Sequence, residues 1–244
     1  MGTPDPRRRA ETRVQTLTAA ARPRLYGRRK GRPLNARKTA LMRDLLPRLQ
    51  IVLSNHPPLA GGSHAQSAYG EGSNITILEI GFGGGEHLAA QAALHADKNF
   101  IGCEPFVNGI ASLLDHIDRQ NLKNIRIFPD DARLLLEALP DNALEACFIL
   151  YPDPWPKKRH TERRIVNPDT LDLLARTLKP GAELRLATDV EPLANWMRDQ
   201  ILGHPAFEIT YDSPTTPPGW IQTRYEKKGE KEGRTPHYLI ARRL

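Results

Sequence analysis

From residue 75 the chain repeats one pattern five times: a short, almost wholly apolar run followed by a segment of helical period. The runs are 75–80 (ITILEI), 99–104 (NFIGCE), 124–128 (NIRIF), 145–151 (EACFILY) and 182–188 (AELRLAT). The helical segments are expected near 85–96, 107–119, 132–138, 167–178 and 191–202. Short apolar strands alternating with helices build a parallel sheet that is covered on both faces. Two more strand-like runs, 207–211 and 237–243, have little helix between them and predict a terminal antiparallel pair. The expected fold is α/β, a seven-stranded, mostly parallel open sheet with helices on both faces.

Before this body the chain changes character twice. Leu41, Leu45 and Leu49 recur every fourth residue, which predicts an amphipathic helix over 36–53 capped by Asn35. Arg37 and Lys38 sit in its first turn, where they oppose the helix dipole. Residues 54–73 are small, polar and rich in Pro and Gly, and read as a loop insertion. Residues 1–35 carry Pro and Arg with little apolar periodicity and read as a basic, largely flexible arm on a domain spanning 36–244.

Charge separates these parts. The chain has net charge +7, but residues 1–50 hold 14 basic and 3 acidic side chains, and the remainder is net −4. A basic arm on an acidic body implies a polyanionic partner, nucleic acid before an anionic membrane surface. No apolar run approaches the roughly 18 residues of a membrane span, and no apolar segment near Met1 suggests a signal peptide. Two cysteines, Cys103 and Cys147, are too few for a disulfide framework and fit a reducing, cytoplasmic setting. His87, His95 and His116 fall in helical segments without acid partners at ligand spacing, so no metal site is expected.

In a sheet of this kind ligands bind at the carboxyl ends of the strands. Here those ends carry Glu79, Glu104, Asp130 with Asp131, Asp153 and Asp189. The first strand runs into Gly81, Gly83 and Gly85, a turn that lets backbone approach a ligand at a helix start. The dinucleotide fingerprint requires glycine where Glu86 stands, and Glu79 would repel a pyrophosphate. A cationic, phosphate-free cofactor suits these acids better. S-adenosyl-L-methionine fits: it has an ammonium and a sulfonium, a ribose for Glu104 and an adenine amino group for Asp131.

After the fourth strand comes Tyr151-Pro-Asp153-Pro-Trp155-Pro-Lys157, in which prolines fix a rigid turn around Asp153 and place Trp155 to stack on a base or wall the pocket. Five basic residues follow within 157–164, suited to phosphate contacts beside the reaction centre. Three other readings compete with an RNA methyltransferase. They are a methyltransferase for another RNA, a protein or a small molecule; a non-catalytic RNA-binding protein; and a NAD-dependent dehydrogenase. The 157–164 stripe argues against a protein or small-molecule substrate, the full set of acids against a non-catalytic protein, and Glu79 with Glu86 against a dehydrogenase.

These motifs resemble the bacterial tRNA (guanine-N(7)-)-methyltransferases. The stretches that match are LYGRRKGRPL (25–34), LEIGFGGGEHL (78–88), the Glu104 and Asp131 positions, YPDPWPKKRHTERR (151–164), LATDVEP (186–192) and TRYEKKG (223–229). The resemblance implies a Rossmann-like class I methyltransferase fold and methylation of tRNA at the guanosine at position 46 of the variable loop. It implies cofactor contacts from Glu79, Glu104, Asp131 and Asp153, with Asp153 the catalytic residue. It also implies target-nucleotide contacts from Lys157, Asp189, Thr223, Arg224, Tyr225 and Glu226. Thr161-Glu162 departs from the family pattern by replacing a lysine, and Arg224-Tyr225 stands for a frequent Lys-Phe pair. Neither a monomer nor a homodimer is favoured by the sequence.

Overall fold

A computed structural model describes residues 27–53 and 76–244. The first 26 residues of the expected arm and the expected 54–73 loop lie outside the described residues. The strands are β1 (Thr76–Ile80), β2 (Asn99–Cys103), β3 (Ile125–Phe128), β4 (Leu144–Leu150), β5 (Leu178–Thr188), β6 (Phe207–Ser213) and β7 (His237–Arg243). They form one sheet in the order β3-β2-β1-β4-β5-β7-β6. The first five run parallel, and β7 inserts antiparallel between β5 and β6. This is the expected α/β architecture. The strand order reverses between β1 and β4, which opens a crevice at their carboxyl ends.

Two helices precede the sheet, α1 (Ala36–Asp44) and α2 (Leu46–Leu49). The rest are α3 (Glu86–Leu94), α4 (Val107–Gln120), α5 (Ala132–Ala138), α6 (Pro168–Thr177), α7 (Glu191–Leu202) and α8 (Arg224–Lys231). Strand alternation sends side chains to two cores. Leu78, Ile80, Cys147 and Ile149 pack with Leu135, Leu171, Leu174 and Met197. Ile77, Phe148 and Leu150 join Leu88, Ile110, Leu113 and Leu114 on the other face. No described helix is long and apolar enough to cross a membrane.

The single helix expected over 36–53 is two. Asn35 caps α1 as expected, accepting from Lys38 N at 2.9 Å. The chain then breaks at Leu45, because Pro47 has no N–H to continue the ladder and restarts a short turn at its first positions. Gln50 and Ile51 extend to pair with β3, with Ile51 N donating to Ile127 O at 2.8 Å. Arg37 and Lys38 are not idle surface charge. Arg37 bonds Asp115 (2.6 Å) and Asp118 (2.7 Å) and Lys38 bonds Ser112 (2.7 Å), docking α1 on α4. Helix α8 is the other departure, since little helix was expected between the last two strands.

Candidate active site

The Gly-rich turn after β1 is shaped by packing as much as by any ligand. Gly81, Gly83 and Gly85 have φ of 75°, 57° and 81°, the left-handed region that L side chains rarely adopt. Gly81 and Gly83 line a pocket of about 400 Å³ at the crevice. Gly85 lies outside that lining, and a Cβ there would meet Leu113 at 2.7 Å. Gly109 on α4, absent from the sequence expectations, sits against the same turn: a Cβ there would collide with the carbonyl oxygen of Gly83. Gly109→Ala is therefore expected to push the turn out of place and weaken binding of the S-adenosylmethionine expected from the sequence at least tenfold. Titration calorimetry with S-adenosylmethionine checks this; wild-type affinity in a folded Gly109→Ala variant contradicts it.

Four of the expected acids, Glu104, Asp130, Asp131 and Asp153, meet around this pocket. Glu104, at the end of β2, accepts from Gly83 N (2.8 Å) and Phe106 N (3.0 Å) and so fixes the turn. Burial pushes its carboxyl above the ordinary range, against the lowering effect of those two backbone donors. Asp131 caps α5 and lines the pocket, but its carboxylate is gripped by Arg133, with Nη2 to Oδ2 at 2.6 Å. Arg133 also lines the pocket and was not expected from sequence. Asp153 is exposed at the rim. Glu79, expected to meet a ligand cation, is 3% exposed, lies outside the lining, and bonds His87 Nδ1 at 2.7 Å. His87 thus has an acid partner that linear spacing did not reveal.

The loop after β4 is held in an uncommon conformation. Tyr151 and Trp155, flanking Pro152-Asp153-Pro154, both have left-handed φ (53° and 40°). Arg164 is what ties it down. It is 8% exposed, donates to Pro154 O (3.0 Å) and Trp155 O (3.3 Å), and lies over the Trp196 ring at 4.8 Å. The basic stripe expected over 157–164 is thereby corrected at Arg164, which faces inward. Lys157 and Lys158 are exposed, on the entry to a 3₁₀ turn over Lys158–Arg163. Trp155 walls the pocket, with Arg163 over its ring at 5.1 Å and His160 edge-on at 5.9 Å.

A smaller pocket of about 130 Å³ adjoins the first and shares Tyr151, Pro152, Asp153 and Tyr225 with it. Asp189 lines it after β5, together with Arg234. Helix α8 supplies the roof. Thr223 and Glu226 form a reciprocal capping box, with Glu226 N to Thr223 Oγ1 at 3.0 Å and Thr223 N to Glu226 at 3.4 Å. Glu226 is 1% exposed and also accepts from Tyr238 Oη (2.6 Å) and Trp220 Nε1 (3.2 Å). Thr223 and Glu226 therefore sit behind the pocket, whereas Tyr225 projects into both pockets. Arg224 pairs with Glu86 at 3.5 Å, joining α8 to the start of α3.

The first residues described, which fall within the expected arm, also reach this mouth. Gly27 and Arg28 line the larger pocket, Arg29 O accepts from Val107 N (3.0 Å), and Asn108 bonds Gly31 N (2.7 Å) and Arg32 O (2.8 Å). Composition alone marks such a segment as solvated, because its anchors are backbone groups.

Comparison with known proteins bears on this arrangement. A family model described as "Putative methyltransferase" matches residues 73–239. A tRNA (guanine-N(7)-)-methyltransferase of Paramagnetospirillum magneticum is 46% identical, over 92% of this chain and 94% of that protein. One from Rhodospirillum rubrum is 44% identical, over 90% of this chain and 88% of that protein. A 16S rRNA (adenine(1408)-N(1))-methyltransferase structure from Catenulisporales acidiphilia shares the fold at TM-score 0.50 and 16% identity, covering 70% of this chain and 87% of that one. The span the model matches takes in the Gly-rich turn, the smaller pocket, all of the larger one's lining but Gly27 and Arg28, and α8, and likeness at this level over nearly the whole length leaves one conclusion: the chain belongs to the tRNA (guanine-N(7)-)-methyltransferase family.

Proposed function

We propose that this protein transfers a methyl group from S-adenosyl-L-methionine to N(7) of the guanosine at position 46 in the variable loop of tRNA, giving 7-methylguanosine in the cytoplasm. The observation that carries the reading is two adjoining pockets at the carboxyl ends of the strands, joined through Asp153. The larger has the volume of a small-molecule site, and its walls suit the cofactor. Glu104 keeps lone pairs for ribose hydroxyls, Asp131 lines the same pocket for the adenine amino group, and Gly109 lets α4 approach the turn whose Gly83 lines it. Glu79 supports the turn from beneath through His87.

When bound, S-adenosylmethionine supplies an electrophilic methyl on a cationic sulfur. Guanine N(7) carries a free lone pair and no proton, so the chain need not supply a general base. Its task is to hold the base and the cofactor pocket in line, catalysis by proximity and orientation. Asp153 faces the positive charge that passes to the base and stabilises it. Asp189 and Tyr225 hold the nucleotide in the smaller pocket, while Thr223, Arg224 and Glu226 fix the helix that presents Tyr225. Lys157, Lys158 and Arg159 are exposed beside the mouth for phosphate contacts.

The basic arm clamps tRNA phosphates without reading bases. Deleting residues 1–26 is expected to weaken tRNA binding several-fold. It is also expected to flatten the dependence of log affinity on log salt, by about 0.7–0.9 for each phosphate the arm no longer neutralises. Filter binding from 50 to 200 mM salt measures this, and an unchanged slope contradicts it. The position of methylation is tested by borohydride reduction and aniline cleavage of the treated tRNA. Scission is expected at nucleotide 46; scission elsewhere, with none at 46, overturns the assignment.

A further inference from the structure

Arg234 stands outside every motif read from the sequence, yet it lines the smaller pocket. Its Nε lies 2.7 Å from Asp189 Oδ2 and its Nη1 lies 2.8 Å from Glu232 Oε2. The route to this place is specific. Helix α8 ends at Lys231, and Gly233 beyond its cap, with φ of 72°, turns the chain so that Arg234 N donates back to Gly229 O at 2.9 Å. Gly229 leaves the room that the pair occupies: a Cβ there would lie 2.7 Å from Asp189 Oδ2. Arg234 thereby ties the end of α8 to the end of β5.

Ion pairs open to solvent contribute little to stability, and the Arg234 side chain is 44% exposed. Its partner differs. The Asp189 side chain is only 14% exposed, and among the described residues Arg234 alone pairs with it. The guanidinium takes one lone pair of Oδ2 and so fixes the plane of the group, while Oδ1 and the second lone pair of Oδ2 stay available to a ligand. Guanine presents N1–H and N2–H side by side on one edge, a donor pair that a fixed carboxylate accepts, and presents N(7) on the opposite edge. A base held at that first edge by Asp189 turns N(7) away from Asp189, toward the wall shared with the cofactor pocket.

We infer that Arg234 is a positioning residue for base recognition, orienting Asp189 to accept from N1–H and N2–H of the target guanine. This rests on the methyl transfer proposed above. The test is single-turnover methylation, at saturating S-adenosylmethionine, of unmodified tRNA carrying guanosine or inosine at the target position. Inosine keeps N(7) and N1–H but lacks the 2-amino group. The wild-type protein is expected to prefer guanosine by about tenfold in kcat/KM, the loss of one hydrogen bond to a charged group. Arg234→Met is expected to lower the guanosine value about twentyfold and the inosine value, which keeps N1–H, only about threefold, with cofactor affinity within about twofold. The preference then shrinks below about threefold, and Asp189→Asn gives the same shrinkage. An Arg234→Met variant that slows both substrates equally, or neither, overturns the inference. If Arg234→Met does not fold, Arg234→Lys decides: it keeps the charge without the planar fork, so a narrowed preference supports the inference and a wild-type preference overturns it. A wild-type protein that methylates guanosine and inosine equally refutes base-edge reading alone. One that methylates neither refutes the proposed function instead.

Discussion

Replacing Asp153 with asparagine is expected to lower the single-turnover methylation rate by about a hundredfold or more while tRNA affinity stays within about threefold. The side chain keeps its size, and the loop that carries it is fixed from outside. Pro152 and Pro154 restrict the backbone, Tyr151 and Trp155 hold left-handed φ, and Arg164 binds the carbonyls of Pro154 and Trp155. Only the charge is removed. In the proposed mechanism that charge matters where the base becomes cationic, so the effect is expected on the transition state and not on binding. Rapid-quench kinetics paired with filter binding separate the two. A retained single-turnover rate removes Asp153 from the chemistry, and a proportionate loss of tRNA affinity makes it a binding residue.

Glu226→Ala is expected to be the most destabilising change at the site. Three donors lose their acceptor together: Tyr238 Oη, Trp220 Nε1 and Thr223 N. Burial and the bond to Glu226 hold the Tyr238 hydroxyl well above its ordinary pKa, so it stays protonated and needs that acceptor. The cost is about 3–5 kcal/mol, unsatisfied buried donors costing about 1–3 kcal/mol each with partial relaxation. For a chain of this size that corresponds to a Tm lower by about 10 °C. Glu226→Gln keeps one oxygen and is expected to lose less than half as much. Calorimetry of both variants checks the order; an alanine variant that melts with the wild type contradicts the buried-acceptor role.

The sheet was legible because its signal is local. Five apolar runs at regular spacing forced a parallel α/β order, and the carboxyl-end rule then pointed at Glu104, Asp131 and Asp153, all of which line the larger pocket. Helix α8 was not legible from apolar periodicity, since eight residues, RYEKKGEK, offer almost no apolar face. Its capping box, Thr223 with Glu226 three residues on, is the sign of this helix that the sequence carries. The break at Leu45 was likewise signalled by Pro47 and overridden by the leucine spacing. What composition hides is pairing across the fold. Asp189 with Arg234 and Arg37 with Asp115 each join two charges that look available in the sequence, and Glu79 is claimed by a hydrogen bond with His87. Arg164 shows the same limit, because a run of basic residues does not say which one turns inward.

The opposed charges of arm and body fit one substrate that is polyanionic and one cofactor that is cationic. The most direct test incubates the full-length protein with methyl-labelled S-adenosylmethionine and unmodified tRNA, digests the RNA to nucleosides and separates them. The label is expected in 7-methylguanosine, with no measurable transfer to free guanosine. Label in any other nucleoside, or none in the RNA from a protein that binds the cofactor, contradicts the account.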